Sequence, residues 1–110
     1  MKTFAQYTTT TLTGASGHEY DFEVSALGAD LDPVGAVYAI TRKDGDEHIV
    51  LYIGHTGDLS KRFDDHHKSE CFDENEADCL CVHFDGNKDS RLRKESDLHA
   101  QYRPNCNGRR

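Results

Sequence analysis

Residues 18–24 alternate without a break, with His18, Tyr20, Phe22 and Val24 on one side and Glu19, Asp21 and Glu23 on the other. A period of two makes this a strand with one face in a core. The β-branched run 8–13 precedes it across Gly14-Ala15-Ser16-Gly17, so the two read as an antiparallel hairpin. A second hairpin pairs 35–42 with 48–53 across Asp44-Gly45-Asp46, and residues 79–84 alternate Leu80, Val82 and Phe84 with Cys79, Cys81 and His83. The chain must therefore build its core on a sheet, with the second hairpin and the 79–84 strand expected at its centre.

Between and after these strands the period changes. Leu59, Arg62, Phe63 and His66 share one helical face, and Thr56 or Asp58 is placed to cap it, which predicts a short helix over 58–68. The acidic stretch 70–78 reads as a loop or a single helical turn. Leu92, Glu95, His99 and Tyr102, with Leu98 beside them, predict a second helix over 89–102 that Pro104 ends. At 110 residues the chain has room for one core. No run of about 18 apolar residues is present, and the first 25 positions lack a basic start followed by an apolar block. The expectation is a soluble, cytoplasmic protein with no membrane partner.

Net charge is −7, which argues against broad binding to a polyanion. The charge is uneven, however. Residues 91–110 hold six basic side chains (Arg91, Arg93, Lys94, Arg103, Arg109 and Arg110) against Glu95 and Asp97, a surplus of four, so residues 1–90 carry −11. Any anion site is local, and those six residues are the candidate nucleic-acid contacts.

Cys71, Cys79, Cys81 and Cys106 match neither paired zinc knuckles nor a C-x-x-C redox motif, and without a secretion signal a disulfide framework is not expected. Small, partly buried thiols are the ordinary reading. A mixed zinc site with His67 and His83 is the alternative.

Taken singly, the polar residues of these elements have packing explanations. A strand tyrosine is commonly an amphipathic core residue, and a helical Arg or His a surface group. Together they are more than a small structural domain needs. Tyr38 and Tyr52 lie on paired strands, Arg62 and His66 are four apart on the first helix, and Glu95 falls in the stripe of the second. A carboxylate buried there costs several kcal/mol unless a cation, Arg62 or a metal, compensates it.

These residues carry a resemblance. Gly35-Ala36-Val37-Tyr38, followed after the hairpin by Tyr52-Ile53-Gly54, resembles the paired signature of the GIY-YIG nuclease superfamily. Thr56-Gly57-Asp58-Leu59 with Arg62 and His66 is similar to its T-x-D-L-x-x-R-x-x-x-H run, and Glu95, Asp97-Leu98 and Pro104-Asn105-Cys106-Asn107 to its closing segment. The first tripeptide departs from the pattern, reading Ala36-Val37-Tyr38 with the glycine one place earlier. The resemblance spans residues 35–107.

It implies an α/β (α+β) fold, a small central three-stranded sheet flanked by helices, with residues 1–34 as an N-terminal β-hairpin extension and 35–110 as the nuclease domain. It also implies that Glu95 binds Mg²⁺ or Mn²⁺, that Arg62 contacts the scissile phosphate and that Tyr38 or Tyr52 helps activate water. His66 would assist proton transfer or contact the phosphate, Gly54 would let the backbone approach the site, and Asn107 would hold the architecture by hydrogen bonds. The function expected is a metal-dependent endonuclease acting on DNA, with RNA left open. A double-strand cutter with one site per chain needs a homodimer or sequential nicks. The alternative is a non-catalytic nucleic-acid- or protein-binding module on the same fold, favoured by the −11 of residues 1–90.

Overall fold

The computed structural model describes residues 8–27, 31–62 and 69–107, the side chain of Arg62 excepted. Strands β1 (Thr8–Thr13), β2 (Glu19–Ala26), β3 (Ala36–Asp44) and β4 (Glu47–Thr56) come first, followed by helices α1 (Leu59–Arg62) and α2 (Ser69–Glu74), strand β5 (Cys79–Phe84) and helix α3 (Lys88–Tyr102). The strands form one antiparallel sheet in the order β1-β2-β5-β3-β4. The sheet therefore has five strands, not the three expected, because β2 pairs with β5 through Glu23–Ala26 and brings β1 with it. The N-terminal hairpin widens the sheet and covers an edge of β5 that would otherwise offer unpaired backbone groups.

The centre also differs from the expectation. β5 and β3 are interior, and β4 lies at the edge. The chain blunts that edge with its own C-terminal segment. Cys106 N–H donates to the Leu51 carbonyl at 2.8 Å. The Asn107 carboxamide then acts as a short strand, accepting from Ile53 N–H at 2.8 Å through Oδ1 and donating to the Ile53 carbonyl at 3.0 Å through Nδ2.

Each sheet face carries a core layer. Ala36, Tyr38, Ile40, Tyr52, Leu80 and Val82 point to one face, where Leu59 of α1 and Phe72 of α2 pack on them. Phe22, Val24, Val37, Ala39, Ile53 and Cys81 point to the other, beneath Leu98 of α3. Leu98 is completely buried, which on its own stabilises by about 1.5–3 kcal/mol. The inward face of α3 is rotated by about one residue from the expected stripe. Leu92 is 41% exposed and His99 is exposed, whereas Arg91 and Leu98 are buried. Leu98, with half-buried Tyr102 packing on its layer, anchors the helix instead.

Both ends of α3 are specified locally. Asn87 caps the start by accepting from Ser90 N–H, and Arg103 closes the end in the left-handed conformation just before Pro104. α1 begins at Asp58, whose Oδ1 accepts from the Ser60 N–H at 3.0 Å and hydroxyl at 2.6 Å. Its expected continuation to 68 lies outside the described residues. No helix among the described residues is long and apolar enough to cross a membrane.

The cysteines depart most from expectation, for Cys71 and Cys106 are joined in a disulfide. Residues 35 apart cannot be matched by spacing. They meet because the C-terminal segment runs back along β4 and drops Cys106, 3% exposed, onto the layer that α2 covers. The pairing also removes two of the four thiolates that a zinc site would use. Cys79 and Cys81 stay free, and burial pushes the Cys81 thiol up to about 12.

Closing a 35-residue loop is expected to stabilise the fold by about 3–4 kcal/mol on chain-entropy grounds. Dithiothreitol should accordingly lower the urea midpoint of the wild-type chain and leave that of Cys71→Ser/Cys106→Ser unchanged. A wild-type midpoint indifferent to reduction contradicts the bridge.

Candidate active site

The second hairpin lays out the centre of the site. Its register sets Tyr38 of β3 directly opposite Gly54 of β4. A Cβ at position 54 would fall 2.7 Å from both Cζ and the hydroxyl oxygen of Tyr38 and 2.8 Å from Cε2 of Tyr52. Only a residue without a side chain lets the Tyr38 ring lie over the strand. The two tyrosine rings sit 5.9 Å apart and tilted by 30°, and Phe72 of α2 meets Tyr52 edge-on at 5.7 Å. Both tyrosines are buried.

The turn after Gly54 leads into α1. Thr56 Oγ1 accepts from Asp58 N–H at 3.2 Å, and Leu59 N–H donates to the Val34 carbonyl at 2.9 Å, tying the start of α1 to the segment before β3. Arg62 stands at the end of this turn of helix, on the element whose Leu59 packs among the tyrosines. His66 lies outside the described residues.

Glu95 comes from the opposite side. Strand alternation turns His55, opposite Val37, toward the face that α3 covers, and His55 Nε2 lies 3.9 Å from Glu95 Oε1. The carboxylate is neither sealed nor free: its side chain is 29% exposed. That partial exposure removes most of the desolvation penalty expected for a fully buried carboxylate. His55 Nδ1, by contrast, is buried with no hydrogen-bond partner.

One turn before Glu95, Arg91 is 7% exposed. Its Nη1 donates to the Asp85 carbonyl at 3.1 Å, and Gly35 makes the room, since a Cβ there would lie 2.5 Å from Nη1. Among the described residues no carboxylate pairs with this guanidinium, and its Nε is a buried donor without a partner. An unmade hydrogen bond of that kind costs about 1–3 kcal/mol.

The other basic residues are placed differently. Lys94 is ion-paired to Asp85 at 2.9 Å and donates to His83 Nε2 at 2.9 Å, which leaves His83 Nδ1 to donate to the Asp21 carbonyl. Bonds from the Ser90 hydroxyl, Lys94 and Asn87 N–H hold the Asp85 carboxyl far below the usual carboxylate range. Arg93 and Arg103 are exposed, while Arg109 and Arg110 lie outside the described residues. Asp97 accepts from Ser16 N–H, the Ser16 hydroxyl and the Tyr20 hydroxyl at 2.7–2.8 Å, fastening the N-terminal hairpin to α3. Burial and the Asp97 carboxylate push the Tyr20 phenol up to about 12.

The sequence model of the GIY-YIG catalytic domain matches residues 34–109. The chain belongs to the GIY-YIG family. Domains of this family are endonucleases that act on DNA in general. The same comparisons find no curated protein and no solved structure with a significant match to the chain.

Within this GIY-YIG domain, the structure brings Tyr38, Tyr52 and Gly54 together on one face of β3 and β4, sets α1 beside them and presents Glu95 from the other face. One neighbour of Glu95 has no place among the sequence candidates. His55 directly follows the Y-I-G tripeptide, and period two assigns it to the α3 face. Arg91, expected as one of six nucleic-acid contacts, stands four residues before Glu95, shares its helical face and is buried rather than exposed.

The close approach at Gly54 yields a direct test. Gly54→Ala must displace the Tyr38 ring, and overpacking of this kind is expected to lower stability by about 1–3 kcal/mol. Tyr38→Ala in the same chain should relieve most of that loss, leaving a coupling measurable by a double-mutant cycle. Additive losses contradict the contact.

Proposed function

We propose that the chain is a metal-dependent endonuclease that hydrolyses DNA phosphodiester bonds. The observation that carries this reading is a partly exposed carboxylate, Glu95, delivered by α3 against the end of β4, in a domain matched from residue 34 to 109 by the GIY-YIG catalytic domain.

The donor set suits a hard divalent cation. Among the described residues no group of three or more His, Cys, Asp or Glu side chains converges as a closed metal cage. A single, partly exposed carboxylate leaves coordination positions for water and phosphate oxygens, the arrangement that Mg²⁺ or Mn²⁺ favours over an all-protein site. Glu95 would hold it. When bound, such an ion supplies positive charge where the phosphodiester gains negative charge and makes a nearby water more acidic.

The remaining work falls to the chain. Arg62 meets the scissile phosphate, where a guanidinium matches two oxygens and stabilises the extra charge of the five-coordinate state. Tyr38 or Tyr52 helps activate the attacking water through its hydroxyl. A phenol with an ordinary pKa of about 10 is a poor base at neutral pH, so His66 takes up the proton. Packing of Tyr52 against Phe72 and of Tyr38 over Gly54 fixes the rings, so that little reorganisation accompanies the reaction.

The substrate is DNA, with RNA tested beside it, and a homodimer provides two sites where both strands are cut. A second reading, a binding module without catalysis, draws on the −11 charge of residues 1–90. One experiment separates the two. Arg62→Ala and Glu95→Gln are each expected to slow Mg²⁺-dependent cleavage of labelled DNA by at least about a hundredfold with the circular dichroism spectrum unchanged, and EDTA should stop the wild-type chain. Undiminished turnover in either folded variant, or cleavage in EDTA, refutes the assignment. DNA binding with no cleavage by the wild type establishes the module.

A further inference from the structure

Arg91 is the one cation near Glu95 whose setting the proposed reaction leaves unexplained. Its guanidinium has two hydrogen-bonding edges, and among the described residues only the Nη1 side is engaged, with the Asp85 carbonyl. The other edge, formed by Nε and Nη2, is the pair of parallel donors that clasps a phosphate or carboxylate side-on. Nε has no partner and is shielded from water. Nη2 faces Gly57, where an added Cβ would sit 3.6 Å away and touch no other described atom outside its chain neighbours within 4 Å. A charged fork held at 7% exposure, unpaired with any described carboxylate and facing a position without a side chain, is a candidate anion site that a ligand reaches from the Nη2 side, beside Gly57.

Its position gives the anion a class. Along the end of β4, His55 lies beside Glu95 and Gly57 beside Arg91, so strand and helix run as a short ladder with one residue of each sort per step. Arg91 and Glu95 share one face of α3, four residues and so about 6 Å of axial rise apart. Successive phosphates rise about 3.4 Å per nucleotide in duplex DNA and more where the strand is extended, so neighbouring phosphates of one strand fall on the same scale. The rest of the chain is acidic, and a carboxylate ligand would add to that charge without offering a second point of attachment.

We infer that the Nε/Nη2 edge of Arg91 binds a phosphodiester group adjacent to the one that is cut, entering over Gly57. The site thereby sets the register of the strand. The inference rests on the nuclease reading for its ligand and not for its geometry.

The test follows the Arg91 Nε–H resonance of the full chain by ¹H–¹⁵N NMR in EDTA, assigned by its loss in Arg91→Lys, with inorganic phosphate and a short DNA oligonucleotide as separate probes. The oligonucleotide is expected to shift that resonance at lower concentration than free phosphate does. Gly57→Ala, which fills the entry beside Nη2 and keeps the charge, should weaken oligonucleotide binding about tenfold or more. In Mg²⁺, Arg91→Lys should raise KM far more than it lowers kcat. If saturating oligonucleotide leaves the resonance in place and Gly57→Ala binds like wild type, the inference fails, even where Glu95→Gln abolishes cleavage and the nuclease reading stands. If phosphate moves the resonance and Gly57→Ala weakens it while no DNA is cut, the anion site stands and the nuclease reading falls. Should Arg91→Lys fail to fold, the Nε–H resonance is assigned through its side-chain carbon correlations in the wild-type chain, and its shift together with Gly57→Ala decides.

Discussion

A missing side chain governs the site. The β3–β4 register sets Tyr38 opposite Gly54, and the space that a Cβ would take is occupied by the tyrosine ring. That contact aligns Tyr38 with Tyr52 and fixes where β4 turns toward α1. It depends in turn on β4 staying in register although it is the outermost strand. The Asn107 carboxamide and the Cys106 amide supply the missing neighbour at Ile53 and Leu51, and the Cys71–Cys106 bridge ties that segment to α2. The last described residues of the chain are thus structural partners of the signature near its middle.

Charge follows the same economy. An acidic chain that handles a polyanion must concentrate positive charge, and here the basic residues of the C-terminal third are divided by role. Lys94 is committed to Asp85 and His83, so it holds the start of α3 to β5, whereas Arg91 is folded into the site end of the sheet with its Nε donor unpartnered among the described residues. Arg93 and Arg103 remain on the surface. Arg91, at 7% exposure, acts where water is scarce and a charge carries further.

Strand identities were legible from the sequence: the alternation from Tyr20 to Val24 reappears as burial, whereas Leu80, Cys81 and Val82 are all buried because β5 is interior with a core layer on each face, and Phe84 at its end is exposed. Strand order was not. Nothing in residues 8–26 announces that β2 pairs with β5, and pairing across some sixty residues is decided by which edge is left bare. The last helix was read one residue out of phase because Leu92 looked like an anchor, while the buried positions include Arg91, which composition assigns to solvent. The disulfide was missed for the same reason, since a link between α2 and the C-terminal segment exists only after both have docked. Tyr38, Tyr52, Gly54 and Glu95 could be named from motif spacing, but the fact that Glu95 approaches from the face opposite the tyrosines needed the sheet.

The central claim is that these two faces together direct water onto a phosphodiester. Single-turnover cleavage of end-labelled DNA by the wild-type chain, with Mg²⁺ in ¹⁸O-enriched water, tests it most directly. The account predicts one ¹⁸O atom in the terminal phosphate of the product and no DNA attached to the protein. DNA that stays intact, or a product phosphate without label and linked to a tyrosine, contradicts it.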